Sequence, residues 1–553
     1  MIRESVKIRV RSVVLMSAGA ITVTVTPWLN MDPIGLPKLS ILLVASLFLA
    51  GTLISSYKSL IPDMASPWRF AILIFISSLI AAFFFSNQGL ISQAYGAFGR
   101  NTGFLAYLSL ALLLWAVCEV SDYRFIGKLL WVLIFSASFN CLYGLIQFFS
   151  FDPIDWSNPY NRIVGTLGNP NFTSAFLGIA ALASLAFLLE KHTKKAIKIF
   201  LVLEISTSIF LIYHSDSSQG LLIFILGSLI TLYFRYVRIS SIRLLKPSYL
   251  SSVFLSVFFG LLGVINKGPL APHLYQDSVT FRGDYWRAGW NMTVANPVFG
   301  VGMDGYGDWY RYFRTEEAVS RRGPDIISNS AHNVLLDISS SGGFTLLIAY
   351  VLLISLILRS AIRVLRSSIS FDPLALGLVS SWSAYQIQSL ISINQLGLAT
   401  WGWILGGAIL GYDASLRNKN IAEKVELTKQ VPASVIISGF LSLIAAIGIA
   451  AWPISKDAIF RSAIQSGNAA SIDRSAALFP ENTYYYVYLA EIYLANKFYD
   501  RAILAAEKAI EINPREFNAW KVLYAIPTLS DPKKAEALST MRILDPLNNS
   551  LIK

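Results

Sequence analysis

Residues 341–358 read SGGFTLLIAYVLLISLIL, without a charge, and are followed at once by Arg359, Arg363 and Arg366. An apolar run of this length closed by a basic cluster has the form of a helix that crosses a bilayer and stops at its cytoplasmic surface. Windows of roughly that length recur outward from it, at 12–29, 39–55, 68–85, 103–118, 125–149, 171–189, 197–213, 220–234, 248–265, 373–393, 396–412 and 433–452. They predict an all-α fold, a polytopic transmembrane bundle of about 12–14 helices, since a helix satisfies its own backbone hydrogen bonds in lipid.

Composition agrees with this reading. The 553 residues are 54% hydrophobic and 14% charged, and mean hydropathy is +0.55, too apolar for a soluble protein. A net charge of +12 would raise nucleic acid as a partner in a soluble chain. Here the basic residues gather between apolar runs, with no helix-turn-helix, zinc-finger or RNA-recognition pattern, so no nucleic-acid partner is expected. Cys118 and Cys141 lie in or beside apolar segments and suggest neither a disulfide framework nor a metal site. No cofactor is expected. Arg3, Lys7, Arg9 and Arg11 precede the first window, and Thr26-Pro27-Trp28 stands where a cleavage site would follow, so the first span is read as uncleaved.

With the N-terminus inside, four basic clusters all fall on the inner side. They are Lys191/Lys194/Lys195/Lys198, Arg235/Arg238/Arg243/Lys246, Arg359/Arg363/Arg366 and Arg417/Lys419/Lys424/Lys429. Segments 86–102, 150–170 and 214–219, the long loop 266–340 and everything after about 453 then lie outside a cytoplasmic (inner) membrane. The expected division is a membrane domain over 1–452 and an extracytoplasmic domain over 453–553. In the latter, Pro480, Pro514 and Pro546 recur at nearly 34 residues, the period of tetratricopeptide repeats. Tyr486, Leu489, Ala490, Tyr493, Ala502 and Ala509 fit the large-into-small packing of paired helices, and Trp520 and Leu523 repeat the first two one period later. Such repeats offer a groove to a protein partner.

The long loop carries the chemistry. It holds Phe281-Arg282-Gly283-Asp284-Tyr285-Trp286-Arg287-Ala288-Gly289-Trp290, then Asn296-Pro297-Val298-Phe299-Gly300-Val301-Gly302, and ends at Ser330-Ala331-His332-Asn333. Aromatic faces stack on sugar rings, guanidinium forks pair with phosphate oxygens, and an imidazole shuttles one proton near neutral pH. On a helix from Arg282, Tyr285, Trp286, Gly289 and Trp290 form one aromatic face, suited to sugars or to the membrane surface. Gly300-Val301-Gly302-Met303-Asp304-Gly305 matches G-x-G-x-x-G but follows no strand and opens no βαβ unit; its glycines are read as a sharp turn toward the membrane. Of four histidines, His192 falls in an inner basic cluster, His273 early in the loop and His214 at a helix end. His332 alone stands where the loop re-enters the bilayer.

The order Arg282/Trp286, Pro297/Gly300/Gly302, His332/Asn333 and Gly343 resembles the O-antigen ligase and polymerase family. Tyr143-Gly144-Leu145-Ile146-Gln147 and Arg162 followed by Gly165-Thr166-Leu167-Gly168-Asn169-Pro170-Asn171 extend the resemblance over about residues 90–412. It implies a metal-independent, inverting glycosyltransferase of the GT-C type. Its donor would be an undecaprenyl-diphosphate-linked glycan and its acceptor a glycan, lipid or protein hydroxyl. His332 would be the catalytic histidine and Arg282 a catalytic, phosphate-binding arginine, with Tyr285, Trp286 and Asn333 beside the substrate. Where the family has Ser/Thr-x-Ser/Thr-Arg, this chain has Ser215-Asp216-Ser217-Ser218-Gln219. Gln219 can hydrogen-bond a phosphate without neutralising it, leaving Arg162, Arg100 or Arg287 to supply the missing charge.

Three other readings compete. Protein O-oligosaccharyltransferases share the scaffold and differ in acceptor. A small-anion or bicarbonate transporter would need a polar membrane path, for which Glu204, Asn140, Gln147, Gln386 and Gln388 are the only material. A scaffold without catalysis would not need thirteen helices.

Overall fold

The computed structural model describes residues 4–56, 66–86, 88–156, 163–275, 277–367, 371–417 and 431–551. Arg162, the His273 side chain and Lys419, Lys424 and Lys429 lie outside the described residues. Every one of the apolar windows contains a helix, and no strand occurs among the described residues. Among the described residues, nine of these helices are long and apolar enough to span a membrane by length and composition. The remaining windows are filled by Glu4–Val23, Phe104–Val120, Pro373–Ser389 and Leu396–Arg417. The chain is a multi-pass membrane protein.

Local sequence sets the helix starts. Asp122 accepts from the Phe125 N–H ahead of Tyr123–Phe148. Asn169 and Asp372 cap Pro170–Leu188 and Pro373–Ser389, each with proline at the first helical position. Small residues then let helices approach closely in the bundle. A Cβ on Gly178 would stand 2.5 Å from the Gly220 carbonyl, and one on Gly220 would stand 2.1 Å from that of Ser174.

Two spans depart from the simple windows. The helix Val334–Ser367 contains Gly343 at φ 68°, which splits it into a short polar half-helix and a long apolar one. The helix Ala433–Ser466 passes through Pro453 without ending, so the last span runs directly into the C-terminal helices. It lies along Gly35–Ile54. Beyond it, Ala469–Ala476, Thr483–Ala495, Tyr499–Ile512, Phe517–Ala525 and Asp531–Leu544 follow. From Thr483–Ala495 onward, consecutive helices pack on one another. Their core holds Tyr486, Leu489, Ala490, Tyr493, Ala502, Ala509 and Leu523, as the spacing predicted.

Charged side chains separate by end. Arg11 meets Asp122 at 2.5 Å, Arg69 meets Glu119 at 2.7 Å, and Arg363 meets Asp413 at 2.5 Å. Arg363 lies late on the helix that begins just after His332, so these pairs mark the end of the bundle opposite the loop.

Candidate active site at the loop end

The 266–333 segment folds into helices rather than open loop, with Asp277–Ala295, Tyr306–Phe313 and Glu316–Arg322 as the main ones. It has its own small core of Tyr285, Ala288, Met292, Val301, Tyr306, Tyr310 and Ala331. The expected aromatic face differs from the observed one. Positions 281, 285, 288 and 292 turn inward on Asp277–Ala295, whereas Trp290 is 52% exposed and packs its edge on Phe344. A side chain at position 289 would be tight, because Ala331 and Tyr306 approach to 3.3 Å of where a Cβ would sit.

The segment is joined to the membrane helices backbone to backbone. Val301 N–H donates to the Ser340 carbonyl at 2.8 Å, and Phe344 N–H donates to that of Pro297 at 2.7 Å. Gly300 and Gly343 both have positive φ. A side chain on either would run into the backbone of the facing segment, 2.4 Å from Ser341 or 2.5 Å from Val298. The turn read from the glycine pattern therefore has a specific task, which is to hold the half-helix that starts behind His332.

His332 stands immediately before that half-helix, at φ 53°, with its N–H bonded to Ser330 Oγ at 3.0 Å. Asn333 caps the half-helix, accepting from Leu335 and Leu336 N–H, and donates to the Leu390 carbonyl. The imidazole stacks on Tyr285 at 5.2 Å between centroids. The Tyr285 hydroxyl receives a hydrogen bond from Arg322, whose guanidinium lies 3.9 Å over the Phe281 ring.

Three guanidiniums act on His332. Burial, then Arg282, Arg100 and Arg322, push the imidazole down to about 4. The ring is therefore neutral at ordinary pH. Arg100 comes from the loop after residue 96. Burial opposes its charge, but Asp304 and Asp337 raise it above the usual arginine range. Asp304 pairs with it at 3.1 Å and also accepts from Ala97 N–H and Thr102 Oγ1. Arg100 donates to the Asn329 carbonyl, which binds its loop to the segment that ends in His332. Burial lowers the Arg282 guanidinium from its ordinary value.

The structure thus brings together His332, Arg282, Arg100, Tyr285 and Asn333 from the expected set. Trp286 follows Tyr285, with its indole N–H buried and no acceptor for it among the described residues. Gln219 is buried at the head of Ser218–Leu232, and both of its amide atoms also lack a partner there. Arg287 is exposed on the outer side of its helix, where its charge acts on Glu317. Sequence reasoning missed Arg322 and Asp304. Asp304 lay within the glycine motif set aside as a turn, and no spacing rule connects it to a residue some two hundred positions earlier.

Of the polar residues considered for a transport path, Gln147 and Asn140 are occupied otherwise, while the Gln388 amide nitrogen is buried without a partner among the described residues. Gln147 Oε1 accepts from Val164 and Gly165 N–H, and Asn140 Oδ1 accepts from Thr166. Glu204 accepts from Ser208 one turn along its own helix. Among the described residues, no group of three or more His, Cys, Asp or Glu side chains converges as a metal site.

Residues 203–351, a little over a quarter of the chain, match the family model described as O-antigen ligase. No curated protein matches the chain. The matched part contains Gln219, Arg282, Arg322, His332 and Asn333, but neither Arg100 nor the C-terminal helices. A multi-pass bundle carrying this match supports a membrane glycan-processing ligase or polymerase in general, and over residues 203–351 the chain is similar to the O-antigen ligases.

Proposed function

We propose that this protein transfers a glycan from undecaprenyl diphosphate to an acceptor hydroxyl at the outer face of the cytoplasmic membrane. The reading rests on one arrangement, the half-buried His332 imidazole stacked on Tyr285, whose hydroxyl Arg322 holds, with the charges of Arg282 and Arg100 also acting on the ring. Such an arrangement gives a proton acceptor beside a site for a polyanion.

In the reaction, His332 takes the proton of the acceptor hydroxyl as its oxygen bonds to C1 of the donor sugar. The bond from C1 to the diphosphate oxygen breaks, and the anomeric centre inverts. Arg282, with Arg100 and Arg322, carries the charge of the departing diphosphate, so arginines do here what a metal ion does elsewhere. The unpartnered Trp286 N–H and Gln219 amide supply donors to phosphate or sugar oxygens. Sugars beyond the reacting one extend into a cavity of about 610 Å³ lined by Trp28, Pro153, Trp156 and Arg461. Its wall at Met31 and Ile34 flanks Asp32, which accepts from Asn101, the neighbour of Arg100.

Residues 1–452 form the transferase and 453–553 a tetratricopeptide-like domain on the outer side. Among acceptors, we favour a growing surface polysaccharide over lipid A core or protein, because an added helical domain beside the site suits a repeated reaction. The test is to assay glycan transfer in membranes for His332→Ala and Arg282→Ala separately. Wild-type transfer by His332→Ala would overturn the base role. Product length in a deletion strain then separates the acceptors: loss of long chains marks a polymerase, and unattached long chains mark a ligase.

A further inference from the structure

The C-terminal helices touch both walls of the His332 cluster. On one side, Phe98, two residues before Arg100, stacks on Tyr484 with centroids 3.8 Å apart and rings 8° from parallel. On the other, Arg311 and Arg314 reach Asp545 at 3.1 and 2.6 Å, with Arg314 and Asp545 sealed from solvent. Arg515 lies 3.4 Å over the Trp309 ring, and Arg311 lies 4.1 Å over that of Phe517. Helix Tyr306–Phe313 then passes the contact inward, since Tyr306 donates to the Tyr285 carbonyl at 2.7 Å and Tyr285 stacks on His332.

We infer that the C-terminal helical domain is a brace that sets the geometry of the His332 cluster, with Asp545 and Tyr484 as positioning residues on its two arms. The inference rests on the transferase reading for its catalytic consequence, though not for the brace itself. Two features argue against an incidental contact. The ionic arm buries a carboxylate between two guanidiniums, an arrangement that is costly unless all partners stay in place. The two arms also land on the two segments that flank His332 in space, one bearing Arg100 and one bearing Tyr306, Tyr310 and Arg322. Displacement of a reacting group by about 1 Å can lower a rate roughly a hundredfold, so a clamp at this point acts on turnover.

The experiment uses the full chain in membranes and in detergent, with Asp545→Asn, Asp545→Glu and Tyr484→Ala, and Lys533→Ala as a surface control. Hydrogen exchange and glycan transfer from the native lipid-linked donor are measured on each. Asp545→Asn is expected to lower kcat about ten- to a hundredfold with little change in donor KM, and to speed amide exchange within 306–333 while 483–512 stays protected. Asp545→Glu should recover part of the rate, and Lys533→Ala should match wild type. Wild-type turnover and exchange in both Asp545→Asn and Tyr484→Ala would overturn the brace, as would lost protection confined to the C-terminal helices. If 306–333 loosens while His332→Ala retains transfer, the brace stands and the transferase assignment fails.

Discussion

Two arginine groups meet at the 266–333 segment of this protein and differ in their surroundings. Arg311 and Arg314 face the C-terminal helices, where they meet Asp545 and the Phe517 ring, and Arg515 reaches back from those helices over the Trp309 ring. The positive charges of Arg282, Arg322 and the incoming Arg100 act instead on the His332 imidazole. Arg311 and Arg314 are buried and the others half-buried, so burial alone does not distinguish the two groups. The distinction lies in what the charge finally meets. In the first group it is a sealed carboxylate, and in the second a neutral imidazole, with an indole N–H of the Arg282 helix that has no acceptor among the described residues.

The sharpest way to break this contrast is to remove its centre. His332→Ala should reduce transfer by about 10²- to 10⁴-fold with the fold intact, measured as product formed per folded protein in membranes. Arg282→Ala should follow at about 10²- to 10³-fold, and Arg282→Lys should recover only part, since lysine lacks the planar fork. In the adhesive group the loss should register in stability as well as in turnover. Asp545→Ala leaves two buried guanidiniums without their carboxylate and should cost about 3–5 kcal/mol, read as a lowered unfolding midpoint. If Asp545→Ala proves as stable as wild type, the two groups are not different in kind.

A pH profile sharpens the contrast further. Burial and the three arginines hold His332 near 4, below the usual value of about 6.5. Its neutral, proton-accepting form therefore persists across the physiological range, and kcat/KM should stay flat until pH falls through about 4. Bound diphosphate adds negative charge, so the acid limb of kcat should lie higher than that of kcat/KM. The same sign makes this site cost stability as pH falls from about 6.5 toward 4, because the unfolded chain takes up a proton that the folded chain resists. The smallest effect is expected at Arg287, exposed beside Glu317. Arg287→Ala should change transfer less than about threefold, as isolated surface charges usually do.

The fold was legible because lipid leaves little choice. Each apolar window held a helix, and even the mixed C-terminal stretch disclosed its inward residues through the spacing of Tyr486, Leu489 and Ala502. What stayed hidden was polar and non-local. The half-helix ahead of Gly343 carries Asp337 and three serines, so its pattern does not announce a membrane-associated helix. The inward face of Asp277–Ala295 could not be chosen between tryptophans and Phe281, Tyr285 and Met292 without knowing that Tyr306 and Tyr310 would cover the latter. The pairs Arg100 with Asp304 and Arg314 with Asp545 join residues more than two hundred positions apart, a relation that no local period encodes. His332, Arg282 and Asn333 were read from motif order, whereas Arg322 follows no motif and becomes a candidate only from its place over Phe281 and Tyr285.

The backbone at His332 carries one more consequence. A φ of 53° is a conformation that glycine or asparagine adopts at less cost than histidine. A library screened for thermal endurance alone, with no demand for product, should therefore drift at position 332 toward those two residues. Selection for activity should hold the histidine against that drift, which would make this position a direct gauge of which pressure a population has experienced.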